Sequence, residues 1–119
     1  MTRRSDRVGD MLRAELADLV IRELADPRVR GATVSRVDVS PDLRHADVGI
    51  SILGDETDRL EAVEVLRGAR GFLRSRLARK VRLKNVPDLR FQLDRGPERS
   101  QRISDLLESL HDDEHDESP

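Results

Sequence analysis

Apolar positions follow two different periods along this chain, and the switches between them mark out its elements. Val8, Leu12, Leu16 and Leu19 recur at three- and four-residue spacing, with Met11 and Val20 beside them. That is one face of an amphipathic helix. Ser5 is the expected N-cap, Asp6 sits well at the positive end of the helix dipole, and residues 1–4 form a loose arm. The helix should run to about Leu24. Asp26-Pro27 stops it, because proline disfavours helical dihedrals in the residue before it, and Gly31 closes the loop. Period two then takes over. A β-branched stretch predicts a strand over 33–39, with Val37 and Val39 alternating against Arg36 and Asp38. Residues 40–44 (SPDLR) are a turn by composition. Ala46, Val48, Ile50 and Ile52 alternate over a second strand, ended by Gly54-Asp55. Strands joined by so short a connection pair antiparallel.

A second helical pattern opens with Asp58 and Glu61 at capping-box spacing and carries Leu60, Val63 and Leu66 on its core face. Its phase is disturbed at residues 68–71 (GARG). Glycine costs roughly 1 kcal/mol relative to alanine in a helix interior, so two of them three residues apart predict a kink or a break. Leu73, Leu77 and Val81 then resume at fourfold spacing, which points Arg74 and Arg79 outward and leaves Arg76 nearer the boundary. After Pro87, Leu89, Phe91 and Leu93 alternate over a third strand. Gly96-Pro97 turns the chain, and Ile103, Leu106, Leu107 and Leu110 mark a short final helix. The expected fold is α+β in the order α-β-β-α-kink-α-β plus that short helix, with the helices packed on a three-stranded sheet. One domain spans residues 1–110. Residues 111–119 form an acidic tail too poor in apolar groups to fold, and are expected to be disordered.

Composition narrows the chemistry. Aromatics are 2% of the 119 residues, so the core has to be aliphatic. With no cysteine, disulfides and cysteine-based zinc sites are excluded. No apolar run approaches the ~20 residues of a membrane span. The start, MTRRSDR, is followed by no apolar segment and does not read as a signal peptide, so the expected location is the cytoplasm. The net charge of −2 conceals a segregation: seven acids and no Lys or Arg lie from Asp105 onward, leaving +5 on residues 1–104. A basic body with an acidic end suits a polyanionic partner.

Catalysis finds little support. There is no G-x-S-x-G elbow and no P-loop, and His45 is the one histidine outside the tail. Residues 111–115 (HDDEH) match the spacing of one zinc-protease class, but in a stretch without an apolar face, and a solvated tail is the favoured reading. No metal and no cofactor are expected.

The basic stretch of residues 67–84 carries Arg67, Arg70, Arg74, Arg76, Arg79, Lys80, Arg82 and Lys84 and no acid. A solvated helix face is the ordinary reading of such a run. Against it stands the G-x-x-G spacing of Gly68 and Gly71, used by KH domains to clamp a nucleic-acid backbone, placed here between two helices and before the third strand. All eight cations are candidates for RNA contact, Arg67 the least of them because it precedes the kink. Arg3, Arg4 and Arg7 could add contacts from the arm. For Arg36, Arg44 and His45 a solvated strand edge and turn is at least as good a reading. Gly68, Ala69 and Gly71 are assigned a conformational role, setting the angle between the helices. Phe72 and Phe91 both fit core positions, which argues against base stacking on an aromatic platform.

These residues also carry a family resemblance. DPRV (26–29), VSPDLRHADVGISILG (39–54), ARGFLRSRL (69–77), RLKNVPDLRFQLD (82–94) and ERSQRISDLL (98–107) resemble, in order and spacing, the bacterial ribosome-binding factor A family over about residues 5–110. The resemblance implies a type II KH-like fold in which an Ala-x-Gly kink, here Ala69-Arg70-Gly71, replaces the G-x-x-G loop. Glycine at 68 departs from that pattern and leaves a looser loop open. The resemblance further implies a non-catalytic assembly factor that binds the 30S small ribosomal subunit through 16S ribosomal RNA. It would assist late maturation, including processing of the RNA's 5′ end region, with a role in cold adaptation. The implied partners are that subunit and a ribosome-assembly GTPase, with no membrane, and the protein is expected to be a monomer. Two rivals stand beside this reading: a general KH-like module acting on other RNA, and a protein-interaction adaptor using the final helix and acidic tail.

Overall fold

Both periodicities appear as elements in the computed structural model, which describes residues 3–96 with Leu106 and Leu107. Helix α1 (Arg3–Glu23) leads through a 3-10 turn (Pro27–Val29) into strands β1 (Thr33–Val39) and β2 (His45–Ser51). Helices α2 (Glu56–Gly68) and α3 (Arg70–Lys80) then precede strand β3 (Asp88–Leu93). The sheet order is β1-β2-β3. Strand β1 is antiparallel to β2, as the short turn demanded, whereas β3 lies parallel to β2. A parallel pair needs a long crossover, and the α2–α3 pair supplies it.

One core lies between the sheet and the helices. Leu12, Leu16 and Leu19 of α1, Val63 and Leu66 of α2, and Leu73 and Leu77 of α3 pack with Val48, Ile50, Leu89 and Phe91 of the sheet. Each such Leu or Phe contributes roughly 1.5–3 kcal/mol by leaving water. Strict alternation cannot put both Val34 and Val39 on one face of β1, yet both are buried. A register shift between Val34 and Arg36 reconciles them: the extra residue turns Val34 inward. Gly9 lets α1 approach β1 closely, since a Cβ there would stand 2.7 Å from the Val37 carbonyl oxygen.

Several local expectations need correcting. Helix α1 already includes Arg3, so residues 3 and 4 are not a loose arm. Ser5 is an interior helical residue, 1% exposed, and not the N-cap. Asp55, read as a strand terminator, caps α2: its carboxylate accepts the Asp58 N–H at 2.8 Å, replacing the expected Asp58 cap. Leu60 is 48% exposed, and Ala62 takes the core position beside Val63 and Leu66. Leu106 and Leu107 are helical and exposed; the rest of the expected final helix and the acidic tail lie outside the described residues.

Asp26-Pro27 stops α1 as expected and does more. Asp26 is extended and caps the 3-10 turn, accepting the Arg28 N–H at 2.9 Å. Its carboxyl is lowered to about 2, first by the Arg28 guanidinium and then by that N–H. A carboxyl depressed in the folded state stabilises above its unfolded value near 3.9, and the contribution fades as pH falls through the folded one. Asp26→Asn should therefore unfold at lower denaturant than wild type at neutral pH, and the two midpoints should converge between about pH 4 and pH 2. A gap in midpoint that did not change with pH would contradict this account.

Candidate nucleic-acid interface

The junction of α2 and α3 is a one-residue kink. Ala69 is at once the C-cap of α2 and the N-cap of α3, with φ −93° and ψ 2°. Its N–H donates to the Val65 and Leu66 carbonyls at 3.0 and 3.1 Å, and its own carbonyl accepts from Leu73 at 2.9 Å. The ladder thus passes through the bend. Gly68 stays within α2 and makes no loop. Neither Gly68 nor Gly71 has a left-handed backbone, and a Cβ on either would meet open space. What the glycines leave at the kink is bare backbone facing outward.

From the kink a groove runs along α3 and the outer edge of β3. Its first part is lined by Arg70, Gly71, Arg74, Asp88, Leu89 and Arg90. Past Arg74 it opens into a cleft of about 560 Å³ that gathers Arg4, Arg44, His45, Lys84 and Asn85 with Asp42. The cleft is built from three places: the start of α1, the β1–β2 turn, and the α3–β3 connection. The turn is held rigidly. Leu43 has φ 61°, an unfavourable value for a branched side chain. Its N–H donates to the Ser40 carbonyl at 2.8 Å, and the Asp42 carboxylate accepts from the Ser40 hydroxyl at 2.6 Å and the Arg44 N–H at 3.0 Å. Those two bonds, the hydroxyl's first, hold the Asp42 carboxyl below its usual value. The turn so fixed aims Arg44 and His45 at the cleft, and Arg90 donates to His45 Nδ1 at 3.0 Å.

The eight candidate cations sort by what they touch. Arg70 and Lys84 line the groove and make no ion pair among the described residues. Arg79 and Arg82 are exposed and likewise make none. Arg74 lines the groove but is also structural: its Nε donates to the Val86 carbonyl at 3.0 Å and its guanidinium pairs with Asp88 at 3.3 Å. Arg67 is turned the other way, donating to the Phe91 carbonyl at 3.0 Å and Glu64 at 2.8 Å, so it clamps α2 to β3. Lys80 reaches Asp18 at 3.1 Å and Glu15 at 3.8 Å, tying α3 to α1, and the bond to Asp18 leads the causes that lower that carboxyl. Arg76 lies over the Phe72 ring, 4.9 Å from its centroid. Asn85 and Arg90 carry no signal in the sequence, and for Arg44 and His45 solvated surface is at least as good a sequence reading as a binding role. The rigid S-x-D turn that presents Arg44 and His45 was the available signal. Among the described residues no cluster of His, Asp and Glu could hold a metal ion, and no helix is long and apolar enough to cross a membrane.

Element order, mixed three-stranded sheet, helix–kink–helix and flanking basic groove together define a type II KH-like domain. The chain belongs to the ribosome-binding factor A family, whose model matches residues 4–107. It is 49% identical to ribosome-binding factor A of Chromohalobacter salexigens over 93% of this chain and 87% of that one. Identity to the Thermomicrobium roseum protein of the same name is 40%, over 97% and 90% of the two chains. The crystal structure of ribosome-binding factor A from Thermus thermophilus superimposes with a TM-score of 0.69 at 29% identity, covering 77% of this chain and 97% of that one. A homology model of the Thermus thermophilus factor fitted into a cryo-electron-microscopy map of a 30S complex gives 0.62 at 31% identity, covering 72% and 90%.

Proposed function

We propose that this protein is a non-catalytic assembly factor that binds the 30S subunit through 16S ribosomal RNA, in the cytoplasm, and assists its late maturation, including processing of the RNA's 5′ end region. A role in cold adaptation and release by a partner GTPase belong to the same reading. The observation that carries it is the continuous groove from Arg70 to Lys84. It is cationic, begins just past the kink at Arg70 and Gly71, and is open along the edge of β3. Neutralising phosphates along such a track releases counterions, and the gain is independent of base sequence. Kinship supports the choice of the 30S subunit, since a homology model of a relative has been fitted into a map of its 30S complex.

Arg70, Arg79, Arg82 and Lys84 hold the phosphate backbone, helped by Arg74, Arg4 and Arg44. Arg67 and Lys80 hold the helices in place. In gradient sedimentation of cell extract the protein should migrate with immature small subunits. Migration only at the position of free protein, or equal binding to unrelated RNA, would contradict the reading. Contacts that survive nuclease treatment would point to a protein adaptor.

A further inference from the structure

The two phenylalanines have opposite fates. Phe91 is buried at 2% exposure, while Phe72 is 41% exposed on the first turn of α3, just past the kink. The apolar stripe of α3 runs through Leu73 and Leu77, one helical position away, and leaves the Phe72 ring outside the core. An exposed aromatic ring costs solvation, and this one sits among cations. Arg76 covers one face at 4.9 Å and Arg79 follows one turn later, while Lys80 beyond them is paired with Asp18 and Glu15 of α1. Beside it, Gly68 and Gly71 leave open space where side chains would stand.

We infer that Phe72 and Arg76 form a stacking site for one unpaired base of a single-stranded RNA segment that crosses the kink. This rests on the RNA-binding reading above and adds to it a kind of recognition that phosphate contacts do not give. The chemistry is complementary on each count. A base presents a flat π-face, which stacks on aromatic rings and on guanidinium planes alike. Arg79, on the face of α3 that carries Phe72 and Arg76, is placed to hold a phosphate beside that base, while Arg70 and Arg74 lie on the groove face across the helix. The open surface at Gly68 and Gly71 lets the backbone come close enough for the base to reach the ring. An intrahelical Phe–Arg pair that merely shields the ring is the alternative, and it predicts no effect on RNA.

The chain has no Trp or Tyr, so Phe72→Trp creates a single fluorescent reporter at the site. Titration with a short single-stranded oligoribonucleotide should quench it, and the same strand made abasic at every position should not. In parallel, Phe72→Leu should weaken binding to small subunits roughly 5- to 100-fold. The slope of affinity against salt should stay as in wild type, because no phosphate contact is lost. Circular dichroism should show the Leu variant folded, as expected for a ring already outside the core. Equal quenching by both strands, no quenching by either, or wild-type subunit binding by Phe72→Leu would each overturn the stacking site. Loss of binding on reversing Arg70 and Lys84, with no effect of Phe72→Leu, would sink the inference and leave the RNA reading standing. Wild-type binding by both variants would sink the two together.

Discussion

Reversing two groove cations together, Arg70→Glu with Lys84→Glu, is expected to lower affinity for small ribosomal subunits on the order of 100-fold at moderate salt. Neither side chain makes an ion pair among the described residues, so the fold should be untouched. Each lost phosphate contact should also flatten the dependence of log affinity on log salt by about one, giving a slope shallower by about two. Titrations between about 50 and 200 mM salt would read both quantities. Arg36→Glu, on the opposite edge strand and paired with Asp38 at 3.3 Å, is the control and should leave both nearly unchanged. If the double reversal bound with wild-type affinity and slope, the groove would not be the RNA face. Arg74 is a poorer choice for this test, although its charge lies in the middle of the groove. It also holds the Val86 carbonyl and Asp88, so its reversal would mix loss of binding with loss of structure.

The second large effect is on stability. Leu66→Ala should destabilise the domain by roughly 2–5 kcal/mol, because the side chain is fully buried where α2 packs on the sheet and its removal leaves a cavity. A small domain has only about 5–15 kcal/mol to lose. Leu60→Ala, on the same helix but half exposed, should cost about 0.5 kcal/mol or less. Urea unfolding followed by far-ultraviolet circular dichroism would compare them. Equal losses at the two positions would mean that α2 is rotated from the orientation described. Rotation matters for function, because α2 sets the axis from which Ala69 turns α3 toward the groove.

Where sequence and structure part company, some of the reasons are local and others lie across the fold. A helical stripe tolerates two phases near its start, and Leu60 and Ala62 point to different sides of α2. The larger hydrophobe is left outside because α2 faces the core with Ala62, Val63 and Leu66. Ser5 and Asp58 have the chemistry of caps, but the helix begins where a free N–H meets an acceptor, and Asp55 reaches the Asp58 N–H first. Arg67 and Lys80 look like their neighbours in a basic run. Their partners, the Phe91 carbonyl and the acids of α1, are 24 and 62 residues away in the chain, counted from Arg67 to Phe91 and from Lys80 to Asp18. No local pattern could have announced them.

By itself the sequence determined the elements and their order, the aliphatic core, the strand pair and the position of the bend. All of these follow from periodicity, turn chemistry and the cost of glycine in a helix, which act over a few residues. It also determined that positive charge gathers around the bend. Only the tertiary structure decided which charges serve binding and which serve the fold, since that depends on what each guanidinium meets across the core. The same holds for the kink, a single residue at Ala69, and for Phe72, which the packing of Leu73 and Leu77 turns outward. The groove itself exists only because the α2–α3 crossover lays β3 parallel to β2. That arrangement brings the start of α1, the β1–β2 turn and the α3–β3 connection to one edge of the sheet.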